Sequence, residues 1–285
     1  MRPSGRLLST LLVLLLLPAA AHAFDGGAWT VSPGEWYSEV SATRAYAASR
    51  FFPDGRNGAL ANEGRFQQFE VTSYNELGWR KNTSFMLAIP FTSLALRDRQ
   101  QSATVSGLSD FVAGIRMRLK DEKPAFVFDA GWIAPAGYNK NLSPRLGDGR
   151  HKFFGSMHAG VSLPFFPGFV QAARGFYFVT EDGELYWRTR VEAAGWIGSK
   201  VLIGLRYADQ APLSVSGGVG EFPHNYLAGA TATVRVDDRM DISVGADRQF
   251  FGRNALDGTQ FQVVLGFKRT KLGSMQGHLG GGLSP

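Results

Sequence analysis

Apolar and polar side chains alternate along much of this chain with a period of two, the repeat of a β-strand with one greasy and one wet face. Trp36, Val40 and Ala42 alternate with Glu35, Glu39 and Ser41, and Phe69, Val71, Leu77 and Trp79 with Glu70, Thr72 and Glu76. The pattern continues in Phe85, Leu87, Ile89 and Phe91. It recurs in Phe111, Ala113, Ile115, Met117 and Leu119 against Asp110, Gly114, Arg116 and Arg118, and in Phe126, Phe128, Ala130 and Trp132 against Val127, Asp129 and Gly131. Later come Leu185, Trp187 and Val191 against Arg188, Arg190 and Glu192, then Val201, Ile203, Leu205 and Tyr207 against Gly204 and Arg206. Tyr226, Ala228, Ala230 and Val234 oppose Thr231 and Arg235. Met240, Ile242 and Val244 oppose Asp241, Ser243 and Asp247, and Phe261, Val263, Leu265 and Phe267 oppose Gln260, Gln262 and Lys268. The segments Phe154 to Leu163 and Phe169 to Val179 alternate less cleanly, and their facing stays open. About twelve strands are predicted, an even number within the bacterial barrel range.

The connections sharpen this reading. Tight turns are expected at Arg80-Lys81-Asn82, Asp121-Glu122-Lys123, Phe166-Pro167-Gly168, Gly198-Ser199 and Asp237-Asp238, all hairpin chemistry. Between them lie longer polar stretches at Ala47 to Arg65, Arg97 to Ser106, Gly137 to Gly149, Asp209 to Pro223 and Phe251 to Gly258, and a shorter one at Glu181-Asp182-Gly183. With a first strand near Gly34, tight turns fall on one side and longer loops on the other. That is the asymmetry of an outer-membrane, all-β, antiparallel up-and-down barrel with short periplasmic turns, longer extracellular loops and both termini in the periplasm.

Composition supports the same compartment. Arg2 and Arg6 precede an apolar run from Leu7 to Leu17, and Ala21-His22-Ala23 offers small residues for signal peptidase. A signal peptide over 1–23 is therefore expected, then a periplasmic segment 24–33, a barrel 34–269 and a Gly-rich tail 270–285. The formal charge of +6 falls by two when Arg2 and Arg6 leave, too little and too scattered to suggest a nucleic-acid partner. With no cysteine, disulfides are excluded as the source of stability, whereas a closed barrel satisfies every backbone N–H and C=O internally. No later run is apolar for long enough to be a transmembrane helix, so any span is made of strands. A soluble sandwich would also alternate, but aromatics near strand ends (Trp36, Trp79, Phe91, Trp132, Trp187, Trp196, Tyr207, Phe267) and charges well inside strands weigh against it.

Several short motifs carry a family likeness. Gly27-Ala28-Trp29-Thr30 before Pro33-Gly34-Glu35-Trp36, then Gly78-Trp79, Ile89-Pro90-Phe91 and the strand Gly107-Leu108-Ser109-Asp110-Phe111-Val112-Ala113-Gly114-Ile115-Arg116-Met117-Arg118-Leu119, resemble proteobacterial outer-membrane barrels of the meta-pathway phenol-degradation family. Some relatives with this opening are labelled XagA-like. The resemblance implies a channel or transport component, often for hydrophobic or aromatic compounds. Unlike barrels that end on an aromatic residue, this chain runs on past Phe267 through Lys268-Arg269 to Leu283-Ser284-Pro285.

Alternation assigns to the lumen the acids Glu35, Glu39, Glu70, Glu76, Asp110 and Asp129 and the bases Arg116, Arg118, Arg188, Arg190, Arg206 and Arg235. Acid is concentrated on the early strands and base on the middle ones. Two arrangements suit these charges: opposed arcs across a water-filled pore that select a small solute, or a salt-bridge network that fills the interior. Aromatic content on the inward face is low, with Tyr37, Tyr74 and Tyr186 its members. A lipid hydrolase would need a serine and a histidine base at the rim. His158 with Ser156 or Ser162, and His151 with Ser156, are the candidates, but no third residue orients the pair. The histidines show no metal-ligand spacing, and no metal, cofactor or catalysis is expected. The expected partners are outer-membrane lipid and lipopolysaccharide, the barrel-assembly machinery and a small solute. A non-conducting structural, exopolysaccharide-associated or adhesion-associated outer-membrane barrel is the alternative.

Overall fold

A strand with one apolar face can satisfy both lipid and its own backbone when the sheet it belongs to closes on itself. The computed structural model has this architecture. It describes residues 30–100, 102–120, 124–139, 144–147, 149–181, 183–214 and 224–269. The expected signal peptide 1–23, residues 24–29 of the segment after it, the Asp121-Glu122-Lys123 turn, part of the 209–223 loop and the tail 270–285 lie outside the described residues.

The strands are β1 (Trp36–Phe51), β2 (Asn57–Ala59), β3 (Arg65–Arg80), β4 (Thr83–Arg97), β5 (Ser102–Leu108), β6 (Asp110–Lys120), β7 (Ala125–Pro135), β8 (Lys152–Ser162), β9 (Gly168–Val179), β10 (Glu184–Ile197), β11 (Val201–Ser214), β12 (His224–Arg235), β13 (Met240–Arg253) and β14 (Ala255–Arg269). β2 is a short arm in the loop after β1, and β5 and β6 are two halves of one wall strand. The result is a closed, antiparallel, 12-stranded barrel. β1 pairs with β14 from Trp36 opposite Arg269 to Phe51 opposite Ala255. The other edge of β1 lies along β3, where the Gly34 N–H donates to the Gly78 carbonyl at 2.9 Å and the Gly78 N–H to the Glu35 carbonyl at 3.0 Å. The start of β1 and the end of β14 share the end of the barrel that carries the short turns, the periplasmic end by the rule for bacterial barrels.

The break between β5 and β6 has a local cause. β4 pairs with β5 from Phe91 upward and with β6 from Ala88 downward. Pro90 stands between them and has no N–H to give to a ladder. The Ser109 N–H donates to the Pro90 carbonyl at 3.1 Å, and one extra residue in the facing strand forms a bulge. The bulge turns Ser109 and Asp110 both to the luminal side, where Thr92 and Tyr138 hydrogen-bond to them.

Exposure follows the faces read from the sequence. On β4, Phe85, Leu87, Ile89 and Phe91 are exposed while Ser84, Met86, Ala88 and Thr92 are buried. Register resolves the two ambiguous strands. Ser156 stands opposite Asp129 and Gly175, which puts Phe154, Ser156, His158, Gly175 and Tyr177 in the lumen and Phe153, Met157, Phe176 and Phe178 outside. Aromatics on both faces hide the alternation there.

At the extracellular end the strands run further than expected. β1 continues to Phe51, the loop expected at Arg97 to Ser106 is shortened by β5, which begins at Ser102, and the Phe251 to Gly258 loop reduces to a turn at Asn254, whose φ is 50°. Asparagine tolerates that left-handed backbone better than most residues. Beyond the membrane both faces of a strand are wet, so a segment such as Ser102–Leu108 carries too few apolar residues to announce itself as a strand.

Candidate functional site

The lumen is held by a buried ionic knot near its periplasmic end. Arg116 on β6 is directly opposite Asp129 on β7, and directly opposed side chains on one face of an antiparallel pair lie close enough to interact. Its guanidinium donates through Nε to Asp129 Oδ1 at 2.8 Å and through Nη2 to Oδ2 at 2.7 Å. Its Nη1 lies 3.4 Å from Glu76 Oε2 on β3. Glu76 also accepts from the Tyr74 hydroxyl at 3.0 Å, the Ser84 hydroxyl at 2.5 Å and the Val31 backbone N–H at 3.2 Å. Arg116 is 0% exposed, a position that charge tolerates only when paired and hydrogen-bonded on every side.

The chain ahead of β1 enters this same end. Thr30 and Val31 are buried, and Arg118 donates through Nε to the Thr30 hydroxyl at 2.8 Å and through Nη2 to its carbonyl at 3.0 Å. The Ser32 N–H reaches Glu35 Oε2 at 3.3 Å. A Cβ at Gly78 would collide with the Ser32 carbonyl, so glycine there lets the segment pass against the wall. Residues 30–35 therefore occupy part of the periplasmic mouth.

The remaining predicted charges also face inward, mostly in clusters. Glu70 accepts from Thr72 at 3.1 Å, Thr92 at 3.0 Å and Gln68 at 3.2 Å. Glu39 accepts from Tyr37 at 2.8 Å. Arg190 meets Glu192 at 3.3 Å, and Gln171 shares that carboxylate at 2.9 Å. Arg206 forks onto Asp247 with both contacts at 2.5 Å and donates to Gln262 at 3.1 Å. Arg235 packs over the Trp196 ring at 4.5 Å and lies 3.7 Å from Asp241, which Lys268 approaches at 2.7 Å. Asp110 accepts from Tyr138 at 2.5 Å with Lys152 at 4.0 Å. At the extracellular rim the His151 backbone N–H, 3.0 and 3.1 Å from the two Glu181 oxygens, holds that carboxyl below its ordinary range. Glu192, Asp241 and Asp247 complete pairs that the site assignment from sequence left out. They put acid on the later strands, so the expected separation of acidic and basic arcs is only partial. Their inward parity was the available signal; which base each one meets depends on register.

Aromatic side chains contribute more to the lumen than expected. Phe154 stacks on Tyr177 at 5.8 Å between centroids and Tyr177 on Tyr186 at 5.1 Å, with ring planes 2° apart in the second pair. Tyr74, Met86, Ala88 and Val112 extend this patch. Beside it opens a small cavity lined by Asp129, Ser156, His158, Tyr177, Arg188 and Arg190 among others. Ala173 and Gly175 on β9 form part of its wall, and their small size opposite Arg190 and Arg188 makes the hollow.

Ser156, His158 and Asp129 meet here, supplying the third residue that the sequence lacked. The geometry is not that of a relay. His158 Nε2 lies 3.1 Å from Ser156 Oγ and 2.9 Å from Asp129 Oδ2, so both neighbours compete for one ring nitrogen, whereas a relay needs the two nitrogens to serve different partners. Asp129 is also already engaged by Arg116.

No model of a known protein family matches this chain, and no curated protein does. Its fold matches that of an outer-membrane channel from Pseudomonas putida F1, with a TM-score of 0.70 and 10% identity over 88% of this chain and 100% of that one. The translocator domain of the autotransporter NalP from Neisseria meningitidis aligns at a TM-score of 0.48 and 13% identity, covering 94% of this chain and 95% of the other. The NanC porin aligns at 0.48 and 8% identity, covering 81% and 100%. These solved structures are outer-membrane β-barrels, and at such identities the likeness is one of fold.

Proposed function

We propose that this protein is an outer-membrane transport protein that lets a small solute diffuse along its charged lumen. Aromatic compounds carrying polar groups are the class that fits, which agrees with the resemblance to the phenol-degradation barrels. The observation that supports this reading is the luminal lining, where Phe154 and Tyr177 border a small cavity together with Arg188 and Arg190, so that aromatic and cationic groups lie side by side along the lumen. The Glu76–Arg116–Asp129 knot and residues 30–35 narrow the periplasmic side, so the passage is slow and size-limited. In this reading the 1–23 leader is removed, and the barrel-assembly machinery inserts the mature chain in the outer membrane.

Single-channel recording of the refolded mature protein under a salt gradient tests the proposal. Small discrete conductance steps are expected, and replacing Arg188 and Arg190 together by Glu should move the reversal potential towards cation preference. Liposomes bearing the protein should admit phenol faster than a linear alcohol of similar mass. The complete burial of Arg116 favours a second reading, a closed structural barrel. Silence in the bilayer with no solute uptake by a properly folded barrel would select it.

A further inference from the structure

The outer wall carries a feature that solute passage does not use. Arg65 opens β3 and Arg97 ends β4, and register puts them directly opposite each other. The ladder runs without a shift from this pair down to Gly78 opposite Ser84, so alternation places both arginines on the face of Phe69, Val71, Phe91 and Ile89, the lipid side. Both are exposed, and among the described residues neither has a hydrogen-bond or ion-pair partner. The nearby acids are engaged: Glu63 pairs with Arg99, and Asp98 accepts the Gln100 N–H at 2.7 Å. Like charges directly opposed across a ladder destabilise it. An arrangement that costs stability in the bare protein calls for an anion.

Height and surroundings indicate which anion. Below the pair, Phe85, Leu87, Ile89 and Phe91 form the exposed apolar face that meets acyl chains. Above Phe91 the same face turns to hydroxyls, with the Ser106 hydroxyl donating to Ser93 at 2.7 Å. At ~3.3 Å per residue and a tilt of ~40°, Arg97 stands about 15 Å above Phe91 along the membrane normal. In an outer membrane that level holds the phosphorylated saccharides of lipopolysaccharide. Arg44, on the neighbouring β1, also faces outward at the upper edge of the apolar band, over the Tyr46 ring at 4.6 Å. Guanidinium groups suit phosphate because their paired N–H groups match its oxygens.

We propose that Arg65 and Arg97 form a lipopolysaccharide-binding site on the outer wall, bridged by a phosphate of the saccharide headgroup. The test uses the full mature protein refolded in neutral detergent, with the midpoint of heat-induced loss of fast gel migration as the readout. The probe is rough-type lipopolysaccharide, intact or chemically dephosphorylated. Without glycolipid, Arg65→Gln and Arg97→Gln should each melt at or above the wild-type temperature, because the repulsion is gone. Intact lipopolysaccharide should raise the wild-type midpoint by several degrees and each variant by less than half as much, so the order of stabilities narrows or reverses. The dephosphorylated form should leave all midpoints near their starting values. Equal shifts in wild type and variants, or equal shifts with the dephosphorylated form, would overturn the assignment. So would a Gln variant that fails to fold in neutral detergent, since it would give the arginine a structural contact.

Discussion

Arg116 shows how much depends on a single luminal side chain. Its charge is buried and its partners are Asp129 and Glu76. Removing one partner leaves a charge in a dry place, which costs far more than the pair contributes over an apolar substitute. Asp129→Ala should therefore destabilise the folded barrel by about 3–5 kcal/mol, measured as a shift in urea unfolding in lipid vesicles. A shift comparable to that of an exposed substitution such as Asp54→Ala would mean that water reaches Arg116. His158 sits on the same carboxylate and loses its orienting partner in that variant, so the cavity wall changes together with the knot.

For the strands, the test of the wall is its outer face. Leu205 on β11 and Val244 on β13 are outward and exposed, 66% and 51%. Leu205→Arg or Val244→Arg should cost about 2–4 kcal/mol near the bilayer midplane, seen as reduced insertion and loss of heat-modifiable migration. Normal insertion of both would place these residues outside the hydrocarbon. The strands were legible from sequence where one face meets lipid and the other the lumen, as in Phe85 to Phe91. They were not legible where both faces are aromatic, as in Phe153-Phe154 and Phe176-Tyr177-Phe178, or where both are wet, as in Ser102–Leu108. Inward facing of the site residues could be read from parity. The choice of partner, such as Arg206 with Asp247, follows from register between strands distant in sequence, and no local pattern encodes it.

Over the whole molecule, residues 30–33 ahead of β1 and the ionic knot sit at the same end of the lumen. On the proposed transport reading, deleting residues 30–33 should leave a folded barrel with larger conductance steps, because the wall ladders do not include them. Steps of unchanged size would locate the constriction in the knot alone. The seam between β1 and β14 has a consequence in time as well as in space. The Ser49 hydroxyl donates to Asp257 across 208 positions, so the ring shuts only after the last strand has been synthesised. Until then the growing sheet has two unsatisfied edges, each a template for wrong pairing. Contacts this distant in sequence also form slowly, because the chain entropy of a very long loop is lost before any stabilisation is gained. A chain that stops early has no smaller ring to fall back on, so closure is an all-or-none event that needs the strands from β1 through β14 on one polypeptide.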